Sequence, residues 1–148
     1  LSTKVTEVVV AENAQVDHYL HQDESRDASL FSILAVQQAR DSRFRTHYFG
    51  FGGALVRHEA RVVFTGENAE ATVNGLYQGT GTQHFDNLTV IDHAMPHCNS
   101  HELYKGILDE KARGVFTGKI YVRLDAQKTD AKQTNQTLLL SDDATINT

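Results

Sequence analysis

The chain has 148 residues, a formal net charge of −5 and 40% hydrophobic residues, enough for one domain with a continuous core. The acidic balance excludes a nucleic-acid footprint, which needs a basic face. The longest apolar run, Leu30 to Val36, is interrupted by Ser32 and falls far short of the ~20 residues of a membrane span. Cys98 is the only cysteine, so no disulfide forms within the chain. With no basic leader or small-residue cleavage site at Leu1, the expectation is a soluble, cytoplasmic protein.

Short β-type runs follow one another along the chain. They lie at Val5–Val10, Gln15–Leu20, Leu30–Val36, Arg43–Phe49, Arg61–Phe64, Glu70–Asn74, Phe85–Asp92, Leu103–Leu108 and Lys119–Leu124. In the last of these, Ile120, Val122 and Leu124 alternate with Lys119, Tyr121 and Arg123, the period of a half-buried strand. Turn signals separate the runs: Gly52-Gly53, Gly66-Glu67-Asn68, Asn74-Gly75, Gly79-Thr80-Gly81 and Ser141-Asp142-Asp143. No segment carries a long helical stripe with caps; Ser29 to Ala39 comes nearest, with helix allowed only near Gln37.

Residues 60–66 read ARVVFTG and residues 112–118 read ARGVFTG, six of seven identical and 52 positions apart. That spacing divides into two coils of roughly 26 residues, within the range of solenoid repeats. Asn74-Gly75 and the Gly79/Gly81 turn leave a sandwich or barrel of hairpins open, but the repeat favours stacked coils. The expected fold is all-β, a right-handed parallel β-helix with coils of roughly 20–30 residues. Stacking would set Arg61 in register with Arg113 and Phe64 with Phe116, two coils apart.

The densest polar constellation is Asp92-His93-Ala94-Met95-Pro96-His97-Cys98-Asn99-Ser100-His101. Imidazole and thiolate suit zinc, iron or copper, making His93, His97 and Cys98 the metal candidates. On a strand, however, four residues span ~13 Å, too far for one ion, and Pro96 disfavours the helix that would close the gap. The expectation is turn histidines beside a small buried thiol, with no metal. His18 and His47 precede tyrosines and read as outward-facing, and His21, His58 and His84 as polar strand or turn positions. Ser100 lacks the nucleophile-elbow glycines, and Gly50-Phe51-Gly52-Gly53 lacks the Lys-Ser/Thr of a phosphate loop. Arg123, Asp125, Lys128, Asp130 and Lys132 form a mixed-charge stretch that reads as a solvated turn.

Residues 84–143 resemble the SufD family of the Suf iron–sulfur cluster assembly machinery. The matching stretches are Asp92-His93, His97-Cys98-Asn99-Ser100, Leu103-Tyr104-Lys105-Gly106-Ile107-Leu108, Ala112-Arg113-Gly114-Val115-Phe116, Gly118-Lys119-Ile120, Asp125-Ala126-Gln127-Lys128-Thr129-Asp130 and Leu138-Leu139-Leu140-Ser141-Asp142-Asp143-Ala144. Residues 1–83 fit more loosely. The resemblance implies that residues 1–148 are one β-helix core domain without the family's flanking N- and C-terminal regions. It implies a scaffold that pairs with SufB and, with the ATPase SufC, completes an assembly complex in the cytoplasm, or in the plastid stroma of a plant or alga. Iron and sulfur would be handled on SufB and at the SufB–SufD interface. The chain itself would then be no enzyme and carry no cofactor, a cluster arising only transiently at that interface. The family's cysteine–histidine element would lie beyond Thr148. The competing readings are a β-helix enzyme acting on acidic polysaccharide through Arg123, Lys128 and Asp130, and a small metal-binding module built on His93, His97 and Cys98. Exposed end strands near Val5–Val10 and Leu138–Leu140 imply self-association of the isolated chain.

Overall fold

A computed structural model describes residues 1–148. Eleven strands make up its regular structure: β1 (Ser2–Val10), β2 (Gln15–Gln22), β3 (Ser29–Gln38), β4 (Arg43–Gly50), β5 (Leu55–Phe64), β6 (Glu70–Gly79), β7 (His84–His93), β8 (Asn99–Leu108), β9 (Arg113–Val122), β10 (Asp130–Leu139) and β11 (Thr145–Asn147). Odd strands pair in the order β1-β3-β5-β7-β9-β11 and even strands in the order β2-β4-β6-β8-β10, all in parallel. Each odd–even pair is one coil of a parallel β-solenoid of about five turns. Ser29 pairs with Leu55 and Arg113 with Thr145, so coils run from 26 to 32 residues.

Alternation decides which side chains enter the space between the sheets. In β5, Val56, His58, Ala60, Val62 and Phe64 are buried; in β6 across from it, Ala71, Val73, Gly75, Tyr77 and Gly79 are. Tyrosine and glycine alternate along two neighbouring files of the even sheet, Tyr48-Gly75-Tyr104 and Gly50-Tyr77-Gly106. A Cβ on Gly75 would meet the Tyr104 ring, and one on Gly106 the Tyr77 ring. Glycine is therefore what lets three tyrosines fit inside so narrow a solenoid.

The corners that follow β1, β3 and β5 share one recipe. Asn13, Asp41 and Asn68 take left-handed φ values of 61, 60 and 58°, which asparagine and aspartate tolerate better than most residues. Each is followed by a small residue, Ala14, Ser42 or Ala69, whose carbonyl accepts from the next coil: Arg43 N–H on Ala14, Glu70 N–H on Ser42, Asn99 N–H on Ala69.

Four expectations need correcting. The two heptapeptides do lie on one sheet two coils apart, but Ala60 stacks on Thr89 and then on Gly118, six residues away from Ala112. Arg61 therefore stands in file with Val90 and Lys119 rather than Arg113, and Phe116 with Asn87 and His58 rather than Phe64. An even offset preserves side-chain parity, so Phe64 and Phe116 both remain inside, 0% and 3% exposed. Asn74-Gly75 is no turn but the middle of β6, since Gly75 is needed under Tyr104. The charged stretch contains the start of β10 at Asp130. His18 points inward, its Nδ1 2.8 Å from the Thr46 hydroxyl.

Candidate functional site

The histidine–cysteine segment is the corner from β7 to β8. His93 closes β7 facing inward, buried against Phe64 with ring centroids 4.9 Å apart and Nε2 2.9 Å from Ser100 Oγ. Burial lowers its pKa, with Asp92 partly opposing, which favours the neutral ring. His97 occupies the left-handed corner seat at φ 61°, exposed, with its N–H donating to the Gln127 carbonyl at 3.0 Å. Cys98 fills the small-residue seat equivalent to Ala14, Ser42 and Ala69. It is fully buried, and its thiol donates to the Gly66 carbonyl at 3.4 Å. Burial pushes the thiol pKa up, which favours an inert S–H over a thiolate ligand. His93 and Cys98 thus lie within the packing while His97 faces solvent, and no group of three or more His, Cys, Asp or Glu side chains is placed to hold a metal ion.

The remaining histidines divide between interior and surface. His58 is buried and stacks on Tyr48 with centroids 4.2 Å apart, and burial pulls its pKa down to about 4. His47 stacks on exposed Tyr19 at 5.1 Å, and His21 tilts against Phe51 at 5.6 Å. The polarity assigned to His58 and His93 from sequence concealed their core positions. Their parity with Val56 or Ile91 along the same strands is the signal that places them inside.

Arg123, Lys128 and Asp130 do not converge on a groove. Arg123 grips Asp92 of the preceding coil with two bonds of 3.0 and 2.8 Å. Lys128 sits exposed in a left-handed corner position at φ 57°, and exposed Asp130 begins β10. The outer face of the odd-numbered sheet carries a second ion-pair group, Arg57 with Glu59 and Asp86, and Arg61 with Glu59. Arg57–Asp86 and Arg123–Asp92 tie neighbouring coils together on the surface, while Glu59 pairs with arginines of its own strand.

Residues 1–148 match a family model described as the SUF system FeS cluster assembly, SufBD core domain. The chain belongs to the SufBD family. It is 36% identical over 144 residues to an iron–sulfur cluster assembly SufBD family protein of Synechocystis, covering 97% of this chain and 32% of that protein. It is 34% identical over 139 residues to the Escherichia coli iron–sulfur cluster assembly protein SufD, covering 94% of this chain and 33% of SufD. Against the chloroplastic protein ABCI7 of Arabidopsis thaliana the identity is 31% over 146 residues, covering 97% of this chain and 30% of that protein. The chain spans about a third of the length of these curated relatives. As in the SufBD core the chain matches, the polysaccharide-enzyme and metal-module readings are not favoured. No helix of the structure is long and apolar enough to cross a membrane.

Proposed function

We propose that residues 1–148 are the β-solenoid core of a SufD-like scaffold subunit in iron–sulfur cluster assembly. It pairs with a SufB-like subunit and works with a SufC-like ATPase. The observation that carries this reading is the SufBD core match across the whole chain, on a parallel solenoid of the kind that family resemblance implies. The core performs no catalysis of its own; iron and sulfide are cargo, joined transiently at the subunit interface. The buried, hydrogen-bonded setting of Cys98 and the inward packing of His93 support a structural role for this corner. The setting is the bacterial cytoplasm, or the stroma if the source is a plant or alga. The isolated core associates with itself through the strands paired on one side only, β1, β2, β10 and β11, where Val9 of β1 and Leu138 of β10 are 76% and 57% exposed. Light scattering at low and high salt checks this; a clean monomer at high concentration contradicts it.

Co-expression of the full-length protein with SufB-like and SufC-like subunits from the same genome tests the reading. The three should copurify, and the protein should restore cluster enzymes in a bacterium lacking its own SufD. Failure of both would contradict the proposal.

A further inference from the structure

The outer face of the even-numbered sheet is split in two along its strands. Near the strand starts its charges are paired on the face itself, Arg45 with Asp17 and Arg43 with Glu70. Toward the strand ends no ion pair forms, and Tyr19, His47, Phe49, Leu76, Leu103 and Ile107 stand outward, exposed or half-buried. Between β4 and β8 lies a depression of about 200 Å³, lined by His47, Phe49, Asn74, Leu76, Leu103 and Lys105. All three strands under it are paired on both sides, so this apolar surface is no product of a solenoid end.

Lys105 is exposed in this lining and has no counterion. Its neighbours in file are Leu76 and Gln136, and its outward neighbours on β8 are Leu103 and Ile107. The diagonal positions hold Asn74, Gln78, Thr134 and Leu138. None of the eight is acidic, and Lys105 enters no ion pair. In a chain of net charge −5, a solitary ammonium on an apolar strip complements a carboxylate brought by another molecule.

The backbone beneath determines what form that molecule takes. Because β4, β6 and β8 already spend their hydrogen bonds on both neighbours, the face adds no strand, and the occupant must arrive with its own backbone satisfied. Coils repeat every ~4.8 Å up the file Phe49-Leu76-Lys105, close to the ~5.4 Å pitch of an α-helix. Side chains three or four apart on a helix lying along the solenoid axis therefore keep step with that file. Residues 1–148 contain no helix, so a second copy of them does not supply one. At about 200 Å³ the depression is smaller than the ~300 Å³ or more of a small-molecule pocket and suits one anchoring side chain.

We propose that this strip docks an amphipathic helix of a partner protein, with an apolar side chain seated among Phe49, Leu76 and Leu103 and an Asp or Glu against Lys105. The docking surface does not depend on the assembly role proposed above.

The test places photo-reactive p-benzoylphenylalanine in the full-length protein at Leu76 or, as control, at Arg45 on the self-paired half, and irradiates each in a lysate of the source cells. Only the first should give an adduct with a second protein, the bond lying in a helix that carries an apolar residue and, three or four positions away, an Asp or Glu. Binding of that purified protein should weaken about tenfold with Lys105→Glu and recover when its own carboxylate is changed to Lys. Lys105→Gln, which removes the charge alone, should weaken it about threefold and reads the same contact if Lys105→Glu misfolds. No adduct beyond the control, a bond within the protein's own chain or to another copy of it, a bond in a non-helical segment, or a loss that charge reversal does not rescue would each overturn the proposal.

Discussion

Coil three and coil five have the same backbone and opposite interiors. Between β5 and β6 lie Val56, Ala60, Val62, Phe64, Ala71 and Val73, all but sealed from solvent. Between β9 and β10 the positions of inward parity are buried Gly114 and Phe116, half-buried Gly118, Asn135 and Thr137, and exposed Gln133. Parallel pairing continues across both, so the backbone ladder does not depend on an apolar filling. What the filling changes is stability: apolar contact dominates coil three, which still buries His58 and the Tyr77 hydroxyl, whereas coil five has few apolar inward side chains and buries Asn135 Oδ1 and Thr137 Oγ1 without partners.

The largest expected contrast comes from truncation. Phe64→Ala removes a ring that is 0% exposed and should cost about 3–5 kcal/mol in equilibrium unfolding. Thr137→Ala removes an unpartnered hydroxyl and should change stability by less than about 1 kcal/mol. Similar losses at both positions would erase the distinction between the coils.

Acid should strike coil three through His58. Its pKa falls from 6.5 to about 4 on folding, so the unfolded chain binds the proton more readily. The stability His58 contributes is complete above pH 6.5 and is lost as pH drops through 4, up to about 3 kcal/mol. His58→Phe should flatten that part of the denaturation profile, and an unaltered slope would contradict this assignment.

Close packing in the same region should show in Gly75→Ala. Tyr104 is fully buried and stands where the new methyl must go, so a loss of about 1–3 kcal/mol is expected in denaturant melts. A neutral result would mean that the ring has room to move.

Glu102 runs the other way. Its pKa rises from 4.5 to about 6 on folding, so its contribution favours the folded state below pH 4.5 and is lost as pH rises through 6. At pH 8, Glu102→Gln should gain about 2 kcal/mol, the linkage value of that shift. Destabilisation at pH 8 would refute a strained carboxylate.

The same contrast explains what could be read from sequence. Strands with apolar inward files, such as Val62–Phe64 or Ile91, announce themselves by alternation. β10 does not, because polar Gln133, Asn135 and Thr137 hold the positions of inward parity and none of its residues is fully buried. The ARxVFTG repeat points to the right sheet in the wrong register: coils lengthen to 29 residues at Leu55–His84, and only parity survives the six-residue slip. Asn74-Gly75 carries a hairpin signature, yet its glycine answers to Tyr104, a contact 29 positions away that no local rule detects. The SufBD likeness was legible because its motifs crowd into β8, β9 and their corners, whereas the inward turn of His18, His58 and His93 depended on coil geometry.

The stacking register joins the dry coil to the polar one and can be measured directly. Arg61 and Val90 are paired outward neighbours on β5 and β7, at a strand separation of ~4.8 Å that a disulfide can span. In a Cys98→Ser background, Arg61→Cys with Val90→Cys should cross-link under mild oxidation. Arg61→Cys with Asn87→Cys, the pair that a uniform coil of roughly 26 residues would align, should not. Cross-linking of the second pair alone, or of neither, would contradict the solenoid described here.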